Sequence, residues 1–210
     1  MSTRVLLADD HVLVRQALRS LLEHDGITVI GEASDGQEAL KLAQELHPEI
    51  VVMDIGMPAF NGIEACRELE KSAPKIRTIF LTQHDESQYI EAALEAGVKG
   101  YVLKNQVGKD LVQAIRLVSK GGVYMSPGIT SALMSAYHTK TEKPAVRLTS
   151  RERQVLQLIA EGKTTKDVAS ILGIAVKTAD SHRTRLMRKL DIHETASLVR
   201  YAIRRGIVQP

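Results

Sequence analysis

The feature that most constrains the fold is an alternation of short apolar runs with longer amphipathic segments, repeated five times in the first 120 residues. The apolar runs occupy residues 5–8, 28–30, 50–53, 78–81 and 100–103. Each run is short and apolar enough for a strand that is covered on both faces, and the segments between them carry apolar residues at helical spacing. The alternation therefore predicts a five-stranded, parallel, doubly wound α/β sheet with right-handed crossovers.

Polar side chains come directly after four of the predicted strands. They are Asp9, Asp10, Asp54, Thr82 and Lys104. Because the carboxyl ends of parallel strands meet at one edge of a sheet, where such sheets bind ligands, we expect these side chains to lie together. Three carboxylates in a cleft of low dielectric would repel one another, so a cation is expected between them. Mg²⁺, with phosphate as a companion ligand, is the economical choice.

This set of groups matches the needs of phosphoryl transfer. Asp54 would supply the nucleophilic oxygen. Asp9 and Asp10 would hold Mg²⁺, one directly and the other through water, because Mg²⁺ keeps several waters and uses few protein carboxylates. Lys104 would add a second positive charge, and the Thr82 hydroxyl would donate to a phosphoryl oxygen.

Charge divides the chain more clearly than length does. Residues 1–143 carry 15 Lys and Arg against 19 Asp and Glu, net −4, whereas residues 144–210 carry 13 against 6, net +7. An acidic front and a basic back predict one module for a cation and another for a polyanion such as nucleic acid.

The single cysteine and the absence of long apolar stretches limit where the protein acts. Cys66 has no second cysteine with which to form a disulfide or a cysteine metal cluster, and we interpret it as a buried filler. No signal-peptide pattern opens the chain, and no apolar stretch approaches the roughly 20 residues needed to cross a bilayer. The sequence thus predicts a cytoplasmic protein with no membrane partner.

The strand-helix pattern stops at residues 121–122, which are both glycine. Ser126 and Pro127 then suit an N-cap and a first helical position, and they predict a short helix to about residue 137. Residues 139–144 are polar and have no apolar period, which predicts a flexible linker.

The remaining residues predict an all-α domain of four helices. The expected helices span residues 150–161, 165–172, 176–190 and 194–205. A capping box formed by Thr149 and Glu152 opens the first of them. The second and third are joined at residues 173–175 by a tight turn that contains Gly173, which is typical of a helix-turn-helix.

The third of these helices has one apolar and one polar face. Ala179, His182, Leu186 and Leu190 recur at helical spacing and define the buried stripe, so His182 is interpreted as a packed core residue. The face expected to enter a major groove carries Lys177, Asp180, Ser181, Thr184, Arg185 and Arg188. Phosphate contacts nearby are expected from Thr164, Lys166, Lys177 and Arg183.

The first half of the chain resembles the receiver domain of two-component response regulators over residues 3–122. The resemblance is carried by Asp9-Asp10, the Asp54 segment ending in Met57-Pro58, Thr82 after Phe80-Leu81, and Gly100-Tyr101-Val102-Leu103-Lys104. It implies a flavodoxin-like fold, phosphorylation of Asp54 by a partner histidine kinase, and Mg²⁺ dependence. It also implies a switch in which Thr82 moves toward the phosphoryl group while the Tyr101 ring reorients.

The second half is similar to the LuxR-type helix-turn-helix over residues 145–208. The resemblance is carried by Leu148-Thr149-Ser150-Arg151-Glu152, Leu156, residues 159–163, Thr178, His182, Lys189-Leu190 and residues 198–202. It adds Thr178 to the candidate contacts with double-stranded DNA. Two departures are Ala175, where a serine cap is usual, and Asp180, where many members carry a lysine; an acid there can accept from cytosine N4.

Together the halves resemble a NarL/FixJ-type response regulator. The expected organisation is a receiver domain at 3–122, a linker with a short helix at 123–144, and the DNA-binding domain at 145–210. We expect phosphorylation of Asp54 to control DNA binding and transcription in a homodimer, with no enzymatic activity beyond stoichiometric self-phosphorylation. The two-fold contact is expected at Val199 and Ile203 on the last helix.

Two other functions remain open on the sequence alone. One is a Mg²⁺-dependent phosphoryl-transfer enzyme, and the other is a phosphorylation-switched protein-interaction module without DNA binding. Gly56, two residues after Asp54, leaves no second acid in the Asp-x-Asp arrangement of a phosphatase. Gly56 contributes only its backbone, and its carbonyl is a candidate ligand for the metal.

Overall fold

A computed structural model describes residues 2–83, 87–129, 146 and 148–208. The chain divides into two compact units, Met1–Thr139 and Lys140–Pro210, and each is described by itself.

The first unit is built on one parallel sheet with the strand order β2-β1-β3-β4-β5-β6. The strands are β1 (Arg4–Ala8), β2 (Thr28–Ala33), β3 (Ile50–Met53), β4 (Arg77–Thr82), β5 (Gly100–Leu103) and β6 (Tyr124–Met125). The helices are α1 (Val12–His24), α2 (Gly36–Leu46), α3 (Gly62–Ser72), α4 (Ser87–Glu95) and α5 (Val107–Ser119), with a 3₁₀ turn at Lys104–Gln106. The doubly wound α/β prediction is confirmed.

The sixth strand was not predicted. Tyr124–Met125 pairs in parallel with β5, so that β5 is an interior strand. A strand of two residues is too short to show an alternation of apolar and polar side chains, and both of these side chains are half-buried. The sequence therefore gives no sign of this strand, which forms because β5 lies beside it. The strand lies within residues 123–144, which the sequence assigned to the linker. Most of the short helix expected after Ser126 and all of residues 139–144 lie outside the described residues.

The core of this unit is two apolar layers, one on each face of the sheet. Alternate strand residues point to opposite faces, and both faces are covered by helices, which is why the strands read as continuous apolar runs. One layer contains Leu6, Met53, Phe80 and Tyr101. The other contains Leu7, Val52, Leu81 and Val102, packed with residues of α1 and α5.

The second unit is helical and consists of α6 (Ser150–Ala160), α7 (Thr165–Ile171), α8 (Val176–Leu190) and α9 (Thr195–Arg204). The predicted capping box of Thr149 and Glu152 is present, and a second box formed by Thr164 and Asp167 opens α7. The turn between α7 and α8 places Gly173 at a φ of +62°, a left-handed conformation that glycine adopts without steric cost. Within the described residues, no helix is long and apolar enough to span a membrane.

Candidate functional site

The carboxyl edge of the sheet brings two acids and one base into direct contact. The Lys104 Nζ lies 2.8 Å from the Asp9 Oδ2 and 3.0 Å from the Asp54 Oδ2. Asp9 and Asp54 are 2% and 7% exposed. The register accounts for this convergence, because β1 and β4 flank β3 and Lys104 directly follows β5 on the far side of β4.

Burial and charge shift the protonation of this cluster. Burial raises the pKa of the Asp54 carboxyl above its usual range, and the Asp9 carboxylate adds to this, while Lys104 and the Gly56 N–H act against it. Burial by itself would lower the pKa of Lys104, but the two carboxylates outweigh burial and raise it. Lys104 is therefore held charged between the two carboxylates, and its ammonium group is positioned to contact a further anion as well.

Asp10 stands beside this cluster with an oxygen that suits a cation. Its Oδ1 is shielded from solvent and takes part in no hydrogen bond. The His11 Nδ1 lies 2.7 Å from that oxygen and 3.3 Å from the Asp9 Oδ1, distances of an ion pair when the imidazole is protonated. The histidine backbone also donates to the Asp9 Oδ1 at 2.8 Å. Asp9, Asp10 and His11 form an acidic cluster whose ligand atoms all lie within 4.8 Å of one another.

His11 was missed by the sequence analysis. A histidine with a 67% exposed side chain after two aspartates carries no signal in composition or periodicity. Its proximity to the acids follows from its place directly after them, in the turn between β1 and α1, where it is the N-cap of α1. The position directly after Asp9 and Asp10 was the available clue.

Thr82 and Tyr101 lie on neighbouring strands behind the cluster. Thr82 ends β4, is fully buried, and pairs in register with Leu103, the residue before Lys104. Tyr101 is also fully buried and meets the Phe80 ring edge-on, with centroids 6.3 Å apart and an interplanar angle of 84°. The roles of both in a switch, and that of the Gly56 carbonyl as a ligand, remain predictions.

The segment after Asp54 is packed tightly against α3. The Asp54 N–H donates to the Ala8 carbonyl at 2.8 Å, and the Gly62 N–H donates to the Ile55 carbonyl at 3.0 Å. A Cβ on Gly62 would lie 2.1 Å from the Asp54 carbonyl oxygen. The start of α3 therefore fixes the backbone that carries the candidate nucleophile.

In the second unit, the predicted DNA-facing side chains are displayed on α7, α8 and the turn before α7. Nine of the ten candidates are exposed, namely Thr164, Lys166, Lys177, Thr178, Asp180, Ser181, Thr184, Arg185 and Arg188. On the opposite face, Ala179 and Leu186 are buried, while His182 and Leu190 are half-buried at the border. No side chain caps α8 at Ala175.

Arg183, the tenth candidate, is half-buried and ties three helices together. Its guanidinium donates to the Thr165 hydroxyl on α7 at 3.4 Å and to the Thr195 hydroxyl on α9 at 2.9 Å. A guanidinium has five N–H donors, so these bonds leave donors for a phosphate. The sequence pattern suggested a phosphate contact and could not reveal this bracing.

An ion pair between a buried glutamate and a partly exposed lysine fixes α8 to α6. Glu152, 5% exposed, accepts from the Lys189 Nζ at 2.8 Å and from the Thr149 N–H at 2.8 Å. Burial opposes the charge of this carboxylate, but Lys189 and Thr149 prevail and the pKa of Glu152 lies below its usual value. The exposed face of α8 is thus held in one orientation relative to α6.

Comparison with known proteins agrees with this geometry. The family model of the response regulator receiver domain matches residues 5–116, and that of the bacterial regulatory proteins of the luxR family matches residues 146–202. The transcriptional regulatory protein MctR of Rhizobium johnstonii is 41% identical, over 98% of this chain and 95% of MctR. The response regulator UvrY of Escherichia coli is 37% identical, over 97% of this chain and 94% of UvrY.

A structural relative supports the same assignment. The structure of two RcsB dimers bound to two parallel DNAs aligns with a TM-score of 0.61 at 26% identity, covering 97% of this chain and 99% of that one. The curated relatives are named as regulators, which confirms the expectation of a regulator rather than a turnover enzyme. The chain therefore belongs to the two-component response regulators that join a receiver domain to a LuxR-type DNA-binding domain.

Proposed function

We propose that a sensor histidine kinase donates a phosphoryl group to Asp54 and that this modification controls the binding of the second unit to DNA, and hence transcription. The observation that carries the proposal is the buried contact of Lys104 with both Asp9 and Asp54 at the carboxyl edge of the sheet. The Lys104 ammonium, held against two carboxylates in a site of low dielectric, is positioned to pair with an additional anion. A regulator that binds chromosomal DNA acts in the cytoplasm.

Mg²⁺ fits the oxygen donors at this edge. Asp9, Asp10, Asp54 and the carbonyl of Gly56 would hold it, and the cluster of ligand atoms from Asp9, Asp10 and His11 within 4.8 Å of one another supports a cation there. When bound, Mg²⁺ neutralises negative charge on the phosphoryl group.

The protein residues supply the remaining chemistry. An Asp54 carboxylate oxygen forms the new O–P bond while the N–P bond of the donor phosphohistidine breaks, and the histidine nitrogen keeps the electron pair. Lys104 then pairs with the phosphoryl oxygens in place of the free carboxylate. Thr82 moves toward the phosphoryl group, and its hydroxyl donates to one of these oxygens. This movement frees space in which the buried Tyr101 ring reorients.

Removal of the metal is expected to stop labelling. With a small-molecule phosphodonor and Mg²⁺, the chain should acquire an acid-labile phosphate. Chelation should slow labelling by about 100-fold or more, since a bound metal supplies several kcal/mol of charge stabilisation to the transition state. The measurement is phosphate incorporation over time, and restored labelling on adding Mg²⁺ back is the control. Labelling at full rate in chelator would contradict the magnesium site.

For the DNA-binding unit, we propose that α8 enters the major groove. The contacts to DNA would come from Thr164, Lys166, Lys177, Thr178, Asp180, Ser181, Arg183, Thr184, Arg185 and Arg188. The exposure of nine of these residues supports the assignment, as does the basic charge of this half of the chain. Asp180 would accept from a cytosine N4, while the lysines and arginines contact phosphates or guanines.

Two neighbouring arginines should respond differently to truncation. Arg185→Ala should cost about 1–3 kcal/mol of DNA affinity if it reads a base, or lower the salt slope by about 1 if it contacts a phosphate. Its unfolding free energy should change by less than about 0.5 kcal/mol, because the side chain is exposed. Arg183→Ala should weaken DNA binding and, unlike Arg185→Ala, should lower the unfolding free energy by about 1–2 kcal/mol. The reason is that it removes two hydrogen bonds between helices.

The measurements are chemical denaturation and titration of a labelled duplex at fixed salt. Equal stability of the two variants would contradict the bracing role of Arg183. Unchanged DNA affinity of Arg185→Ala would remove that residue from the interface.

We further propose that the protein acts on DNA as a homodimer. RcsB, aligned over nearly its whole length, is a dimer on DNA. In this chain α9 carries Val199 and Ile203, both half-buried within the unit and four residues apart on one face. Covering this face with a second copy would place two recognition helices on neighbouring half-sites.

A further inference from the structure

The loop that carries Asp9 and Asp10 is held from outside by an arginine. The Arg15 Nη1 donates to the backbone carbonyl of Asp9 at 2.5 Å, and its Nε donates to the Glu32 Oε2 at 3.2 Å. The side chain of Arg15 is 13% exposed, so these bonds are largely screened from water. The guanidinium therefore links the end of β1 to the adjacent strand β2.

Glu32 provides a fixed anchor for this arginine. Its second oxygen, Oε1, accepts from the Arg19 Nε at 2.6 Å. The hydrogen bond from Arg19, followed by that from Arg15, lowers the pKa of the Glu32 carboxyl against the opposing effect of burial, so the anchor stays charged at neutral pH. Glu32 also pairs in register with Leu7 on β1, which places the anchor beside the strand whose end is held.

The hydrogen bond from Arg15 to the Asp9 carbonyl restrains a whole peptide group and not the oxygen alone. That oxygen belongs to the planar peptide between Asp9 and Asp10, so fixing it restricts rotation of the whole plane. The Asp9 N–H donates to the Ala33 carbonyl at 3.2 Å, which fixes the preceding peptide as well. With the peptides on both sides of Asp9 held, the backbone from which the two carboxylates extend is restrained before any ligand arrives.

We infer that Arg15, anchored by Glu32, is a positioning residue for the metal-binding carboxylates of Asp9 and Asp10. The inference rests on the proposed function, in which these acids hold Mg²⁺. Groups that orient metal ligands typically change metal affinity by about 10- to 100-fold when they are removed. A nearby guanidinium also repels a cation, so loss of its charge alone would strengthen Mg²⁺ binding. Positioning and charge therefore predict opposite signs for the same substitution.

The test is calorimetric titration of the full chain with Mg²⁺ for the wild type, Arg15→Ala and Arg19→Ala. Arg15→Ala should weaken Mg²⁺ binding by about tenfold. Arg19→Ala is the matched control, since it removes an equal charge from the same Glu32 carboxylate without touching Asp9, and it should stay within about twofold of the wild type. Phosphodonor labelling supplies a second readout, in which Arg15→Ala should raise the half-saturating Mg²⁺ concentration at an unchanged saturating rate.

Each result decides a separate point. Mg²⁺ binding by Arg15→Ala that is unchanged or tighter would overturn the positioning role while leaving the magnesium site intact. A wild-type chain that binds no Mg²⁺ would instead overturn the proposed function. Glu32→Gln keeps Arg15 but weakens its anchor, so it should also weaken Mg²⁺ binding. Arg15→Met, which removes the same charge and the same donors at similar length, replaces Arg15→Ala in the test if circular dichroism shows that variant to be unfolded. Wild-type affinity in Glu32→Gln would contradict the anchor.

Discussion

Replacement of Asp54 by asparagine is expected to abolish acid-labile phosphorylation. The amide keeps the size of the buried side chain but is a poor nucleophile, and Asp9, the other carboxylate in contact with Lys104, is proposed to hold the metal. The measurement is phosphate incorporation from a small-molecule phosphodonor with Mg²⁺, followed by intact-mass spectrometry.

Asp10→Asn is the matched comparison for this variant. It leaves the proposed nucleophile in place and removes one proposed metal ligand, so labelling should persist but require more Mg²⁺. Full labelling of Asp54→Asn would place the acceptor elsewhere, and an unchanged Mg²⁺ requirement in Asp10→Asn would remove that residue from the metal site.

Replacement of Gly62 by alanine is expected to destabilise the first unit strongly. The new Cβ would lie 2.1 Å from the Asp54 carbonyl oxygen and 3.2 Å from the Ile55 Cα, and backbone atoms cannot rotate away as a flexible side chain can. Overpacking of this kind typically costs about 1–3 kcal/mol, and we expect the upper end because the obstacle is backbone. Any relaxation would displace Asp54, so the labelling rate should fall as well.

Gly108→Ala is the control for this substitution. Gly108 lies in the first turn of α5, and a Cβ added there would meet no atom within 4 Å, so alanine should be neutral or stabilise by up to about 1 kcal/mol. The measurement for both variants is the free energy of unfolding from chemical denaturation. Equal stability of Gly62→Ala and the wild type would show that the segment after Asp54 is not packed as described.

The sequence predicted the parts of the site that depend on chain order. Strands covered on both faces read as continuous apolar runs, so their ends could be located, and in a parallel sheet those ends share one edge. Asp9, Asp54 and Lys104 therefore could be predicted to meet, and they do. The capping box at Thr149 and the exposed face of α8 followed equally from local patterns.

The parts that could not be predicted depend on which side chains meet across elements. Arg15 reads as one polar residue on an amphipathic helix, and its contact with Asp9 arises only when α1 packs beside the end of β1. The bracing by Arg183 requires α7, α8 and α9 to be placed first. The strand at Tyr124–Met125 was missed because two residues carry no period.

The most direct test of the central claim is the affinity of the full chain for DNA with and without phosphodonor. The duplex is one selected from random sequence by the phosphorylated protein, the salt concentration is held fixed, and Asp54→Asn is the control. We predict that phosphorylation tightens binding by about fivefold or more, the range typical of coupling between two sites, and that Asp54→Asn shows no response to the donor. Equal affinity of both wild-type forms would contradict control of DNA binding by Asp54.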